Sequence, residues 1–147
     1  MAMADITNQA VQHGSDRAVP LSEIAERQHL SVAYLEQLFG KLREAGLVAS
    51  VRGRSGGYRL ARAAHEIVVV EVLEAVEEPT RMTRCMGADT PGCVGDARCL
   101  THGLWSALGR HIHGFLAGVT LADVVADNAS ASTAAERLAK AMAAHES

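Results

Sequence analysis

Hydrophobic positions recur at helical spacing along most of this chain, and the interruptions fall on residues that stop helices. Residues 1–12, MAMADITNQAVQ, read as a helix, followed by a turn at His13-Gly14-Ser15-Asp16. Pro20 and Ser22 introduce a short helix, LSEIAERQ, with Ile24 and Ala25 as its apolar positions and Leu30 closing it. Ser31 is a good N-cap for VAYLEQLFGKLREAG, where Leu35, Leu38, Phe39 and Leu42 stand at i, i+3, i+4 and i+7 and Gly46 ends the helix. In LVASVRGRSGGYRLA, apolar and β-branched residues flank a glycine-rich tip, which predicts two strands joined by a tight loop. Two helices, a short turn and then a hairpin is the order of a winged helix-turn-helix. IVVVEVLEAVEE predicts another helix despite its β-branched start, and the Gly-, Asp-, Pro- and Cys-rich residues 79–99 predict a loop. LTHGLWSALGRHIHGFLAGV predicts a long helix with Leu104, Leu108, Ile112, Phe115 and Leu116 on one side, and a short helix follows at 121–126.

The fold class is therefore mainly α with a small β-hairpin. The winged helix-turn-helix occupies 1–78, a cysteine-bearing loop 79–102, and the long helix with its short successor 100–126. The Ala-rich, uncapped residues 127–147 form a flexible tail, and no internal repeat appears.

Composition narrows the function. A length of 147 residues suits one compact domain, or a small domain plus one extra element. Hydrophobic residues make up 48% of the chain and aromatics only 3%, so Ala, Leu and Val carry the core. No run of about 18 apolar residues is present to span a membrane. No basic segment precedes an apolar stretch as in a secretory signal, so a cytoplasmic protein is expected. The net charge of −3 argues against nucleic acid only until its distribution is considered. From Lys41 to Arg62, six cations (Lys41, Arg43, Arg52, Arg54, Arg59, Arg62) meet one acid, Glu44, a local charge of +5 around the glycine-rich turn. A solvated charged face is the bland alternative.

A helix fits the major groove, and the second helix of a helix-turn-helix is the one inserted. Its polar face carries Ser31, Tyr34, Glu36 and Gln37 toward the amino end. Glutamine pairs bidentately with adenine and glutamate accepts from cytosine N4; solvent exposure alone is the competing account of both. Arg52 and Arg54 at the hairpin tip suit minor-groove contacts. Gly53-Arg54-Ser55-Gly56-Gly57 matches the G-x-S-x-G pattern of serine hydrolases, but that motif works only at a strand-to-helix elbow of a large sheet. Here strands flank it on both sides, and its glycines suit a tight turn that approaches phosphates.

All three cysteines fall between Cys85 and Cys99, and an odd number cannot pair internally. With His102 they give Cys85-x7-Cys93-x5-Cys99-x2-His102, a complete four-ligand set in a Gly- and Asp-rich loop. Cys₃His also suits zinc, although structural zinc favours tighter knuckles and wide spacings suit an iron–sulfur cluster. Spacing alone leaves both open. His111 and His113, two positions apart on the long helix, face different ways and read as ordinary surface or interface residues.

LSEIAERQHLSVAYLEQLFGKLREAGLVASVRGRSGGYRL and the later RC…C…CLTHGLW resemble the iron–sulfur cluster regulators of the IscR type, over roughly residues 1–126. The resemblance implies a DNA-binding transcription regulator, activator or repressor, bound to double-stranded promoter operators. It implies a homodimer paired through the long helix at 100–126, with cluster donor proteins as further partners. It also implies a [2Fe–2S] cluster on Cys85, Cys93, Cys99 and His102, DNA contacts by Gln37 and Arg52, and discrimination between sites by Glu36 in the cluster-free form. The seven-residue first gap is wider than the five of the enterobacterial pattern. It is similar to that of the iron regulator RirA, for which a [4Fe–4S] cluster is the alternative. Ala33 stands where the family has a base-contacting serine, which alters the expected site preference. The family's basic opening run, which touches the DNA backbone, has no counterpart here, so weaker DNA binding or a late start codon is expected.

Two other classes compete. A zinc-stabilised DNA-binding or interaction module uses the same ligands without sensing, and a nitric-oxide-sensing regulator uses the same cluster. A redox enzyme is disfavoured, since no C-x-x-C, Rossmann glycine pattern or nucleophile–base pair is present.

Overall fold

The computed structural model describes residues 1–14, 16–78 and 98–126. Most of the expected cysteine loop, with Cys85 and Cys93, and the expected tail at 127–147 lie outside the described residues. The elements run α1 (Ala2–His13), α2 (Leu21–Gln28), α3 (Val32–Glu44), β1 (Val48–Val51), β2 (Gly57–Leu60), a 3₁₀ turn (Ala64–Glu66), α4 (Val69–Ala75), α5 (His102–Ala117) and α6 (Leu121–Val125).

Local chemistry sets the boundaries. Ser31 Oγ accepts from the Tyr34 backbone N–H at 3.1 Å, capping α3. At the other end, Leu47 N–H donates to Leu42 O and Gly46 N–H to Arg43 O, both at 3.0 Å. Gly46 takes φ +74° there, so the paired bonds form a Schellman closure that turns the chain into β1. Between α2 and α3 the turn is made by His29, a non-glycine residue at φ 53°. The hairpin is antiparallel, with Val48 opposite Leu60 and Val51 opposite Gly57.

Val19 forms a one-residue antiparallel bridge beside the hairpin, exchanging two backbone bonds with Tyr58 at 2.8 and 2.9 Å. This close approach explains Gly57, because a Cβ there would lie 2.3 Å from both the carbonyl carbon and oxygen of Val19.

One core ties these pieces together. Ile6 of α1, Ile24 of α2, Leu35, Phe39 and Leu42 of α3, and Leu47 and Val48 at the hairpin are buried with Ile67 and Leu121. Phe39 also packs on the Tyr58 ring at 5.0 Å between centroids. The helix order and antiparallel hairpin of a winged helix-turn-helix are present, and α6 returns to cover α1.

Three expectations need correction. Ser22 lies inside α2, whose N-cap is Pro20 without a side-chain cap. The helix expected over IVVVEVLEAVEE is confined to Val69–Ala75. Ile67 and Val68 are extended instead; Val68 pairs with Thr120, and Leu121 N–H donates to Ile67 O at 2.9 Å. The β-branched start follows its strand preference once Thr120 offers a partner. The 3₁₀ turn at Ala64–Glu66 was not expected at all.

Candidate nucleic-acid interface and ligand turn

The apolar spacing that sends Leu35, Phe39 and Leu42 into the core leaves the rest of α3 outward. Ser31, Val32, Ala33, Tyr34, Glu36 and Gln37 are all exposed. The hairpin holds Arg52 and Arg54 at its tip, both exposed. The structure thus displays every expected DNA-facing residue, on α3 and on the wing. The Ser31 hydroxyl oxygen is already occupied as a cap, which leaves its proton for an outside acceptor.

The basic run is less available than its count suggests. Arg62 is bonded to Glu71 at 2.9 Å, Lys41 to Glu77, and Arg59 lies 3.7 Å from Asp16. The hydrogen bond from Arg62, joined by one from the Val68 backbone, holds the Glu71 carboxyl below its ordinary range. The Lys41 hydrogen bond does the same for Glu77. Arg43, Arg52 and Arg54 pair with no described carboxylate. The uncompensated charge therefore concentrates at the end of α3 and on the wing.

Sequence reasoning missed the cluster that fixes the helix-turn-helix from behind. Asp5 of α1, its side chain 4% exposed, accepts Arg27 Nε at 3.0 and 3.1 Å and Gln28 Nε2 at 3.0 Å. The hydrogen bond to Asp5 is the chief cause raising the Arg27 pKa above its ordinary value. Arg27 and Gln28 are the last residues of α2, so α1 holds the chain immediately before the His29 turn that aims α3. An acid at the first turn of a helix was the available signal, but nothing in the sequence linked it to residues 22 positions away.

Of the expected metal ligands, Cys99 and His102 fall among the described residues. His102 opens α5, and its backbone N–H donates to Cys99 O at 3.0 Å. One turn therefore carries a half-buried thiol and an imidazole three residues apart, with Cys99 Sγ 3.5 Å from Thr101 Oγ1. Among the described residues no three metal-binding side chains converge; Cys85 and Cys93 lie outside them. On α5, His113 Nε2 rests 3.2 Å from Glu74 Oε1 of α4.

The family model for Rrf2, described as an iron-dependent transcriptional regulator, matches residues 1–127. The chain belongs to the Rrf2 family. An HTH-type transcriptional regulator IscR of Aliivibrio salmonicida is 52% identical over 116 residues, covering 79% of this chain and 68% of that relative. The same-named regulator of Photobacterium profundum is 53% identical over 117 residues, covering 79% and 66%. Among solved Rrf2-like structures, T. potens IscR superposes with TM-score 0.64 at 35% identity, over 87% of this chain and 82% of that one. CymR, the global cysteine regulator of B. subtilis, superposes at 0.65 with 29% identity, over 85% and 90%. This Rrf2 protein is a DNA-binding transcription regulator of the winged helix-turn-helix class, and its relatives are regulators rather than enzymes. Among its described residues no helix is long and apolar enough to cross a membrane.

Proposed function

We propose that this Rrf2 protein is a cytoplasmic, homodimeric sensor of iron–sulfur cluster status, controlling genes for cluster assembly or iron homeostasis. Cys85, Cys93, Cys99 and His102 hold a [2Fe–2S] cluster, and Ser31, Tyr34, Glu36, Gln37, Arg52 and Arg54 meet the operator. The observation that carries this reading is the turn joining Cys99 to His102 at the head of α5. It puts a thiol and an imidazole three residues apart on one turn, and Cys85 and Cys93 precede them in the sequence. That donor chemistry fits a cluster, which would supply a redox- and iron-sensitive crosslink between the loop and α5. The similarity to IscR regulators supports the same reading.

Residue 79 follows Glu77 by two positions, and Glu77 is bonded to Lys41 near the end of α3. The Lys41–Glu77 pair thus ties the chain just after α4 to α3.

Anaerobic purification with iron and sulfide analysis tests the site. A brown protein with visible absorption and two irons and two sulfides per chain is expected. Cys85→Ala, Cys93→Ala, Cys99→Ala and His102→Ala should each lose or shift that absorption while helical content is kept. Four irons per cluster would correct the nuclearity, and a colourless zinc protein would overturn sensing by a cluster. Retention of a full cluster by two of the three cysteine variants would overturn the ligand set.

A further inference from the structure

The first turn of α3 breaks the logic of the rest of the helix. Val32 is 41% exposed and Tyr34 44%, with Ala33 exposed between them. Three consecutive side chains with apolar surface thus stand in solvent at the amino end of α3, while the remaining large apolar residues of that helix are buried or half-buried. None of the described residues covers this surface. At 100° per residue, Ala33 and Gln37 both lie about 200° round from Leu35, on the side opposite the core.

We infer that Ala33, flanked by Val32 and Tyr34, reads the C5 methyl group of a thymine in the operator half-site. This rests on the reading of α3 as the recognition helix. The amino end of such a helix reaches deepest into the major groove. Thymine is the one base that displays a methyl there, and small apolar side chains are its recognised contacts. The Ala33 side chain offers no hydrogen bond of its own, and the nearby Ser31 hydroxyl oxygen is held as the cap of α3. Ala33 and Gln37 are four residues apart, about 6 Å along the helix axis. With base pairs stacked at about 3.4 Å, the thymine falls within about two base pairs of the adenine that Gln37 pairs with.

The test uses the full chain and a duplex library. Selection from randomised DNA gives the preferred half-site, and each thymine is then replaced singly by deoxyuridine, which removes only the methyl. Fluorescence anisotropy should show one thymine per half-site whose methyl is worth about fourfold in affinity, the factor for one desolvated methyl. In Ala33→Gly that dependence should vanish, while the site still binds. Ala33→Ser, which spares helix propensity, should lose the methyl dependence as well and select a different base at that position. Circular dichroism checks that both variants keep α3. Gln37→Ala is the arm that separates the two ideas. If it relaxes preference at an adenine but no thymine methyl matters to the wild-type protein, the inference is overturned and the recognition helix stands. If Gln37→Ala and both Ala33 variants leave base preference unchanged, the recognition-helix reading falls, and the inference with it.

Discussion

Single atoms decide whether this wing exists. Gly57 lies where β2 passes Val19 so closely that any side chain would enter the Val19 carbonyl. Gly57→Ala should therefore push β2 away and break the two Val19–Tyr58 backbone bonds. A loss of about 2–4 kcal/mol in urea-measured stability is expected, with weaker DNA binding because Arg52 and Arg54 lose their platform. Arg54→Ala makes the contrast, since that exposed side chain has no described carboxylate partner and its loss should leave stability within about 0.5 kcal/mol. Its DNA affinity should fall, and a phosphate contact would lower the slope of log affinity against log salt by about one unit. Equal stability losses in the two variants would show that the Gly57 contact is not what holds the wing. The Asp5 cluster follows a different asymmetry. Arg27, with its side chain 35% exposed, reaches water if Asp5 is removed, whereas Asp5 at 4% keeps only Gln28 if Arg27 is removed. Arg27→Ala should thus cost more than Asp5→Ala, by about 1–2 kcal/mol, because a buried unpaired carboxylate is the worse outcome. A reversed order in denaturation midpoints would refute this.

At the scale of elements, the parts that follow from local rules were legible and the parts set by distant partners were not. Ser31, the Leu35–Leu42 spacing and Gly46 defined α3 to within a residue, because caps and periodicity act within one turn. The glycine-rich tip likewise marked the hairpin. The start at Ile67–Val68 misled, since its conformation depends on Thr120, about 50 residues away, and a chain read locally shows only a helix start. The charge run misled in a similar way, since Glu71, Glu77 and Asp16 neutralise half of its cations only after folding. One of those pairs carries a prediction. Lys41–Glu77 ties α3 to the chain just after α4, so, if the proposed cluster binds, Glu77→Gln should weaken the dependence of DNA affinity on it. Both side chains are largely exposed, so solvent screens the pair and its contribution is small. The ratio of cluster-bound to cluster-free affinity should therefore change by no more than about fivefold. A complete loss of the difference would mean that Glu77 does more than hold Lys41.

For the molecule as a whole, α5 is the unresolved surface. It is 16 residues long, and none of its residues is buried by the described chain. Leu104 is 63% exposed, and the stripe continuing through Leu108, Ile112, Phe115 and Leu116 is only partly covered by the described residues. A long apolar stripe left partly uncovered suits a partner surface. The proposed homodimer closes it with a second copy of α5, the same face meeting itself as a two-fold axis requires. Dimerisation would also give the DNA interface its reach, since each α3 reads one half-site and two half-sites sit about 34 Å apart, one helical turn. Leu104→Lys with Leu108→Lys puts two charges into that contact. The variant should sediment as a monomer at concentrations where the wild type is a dimer, with circular dichroism unchanged because neither residue belongs to the core around Phe39. Its affinity for a two-half-site operator should drop by at least tenfold, while affinity for a single half-site stays the same. A variant that remained dimeric would place the contact elsewhere. A monomer with unchanged operator affinity would show that one copy suffices for recognition, and the two-fold reading of the operator would have to be abandoned.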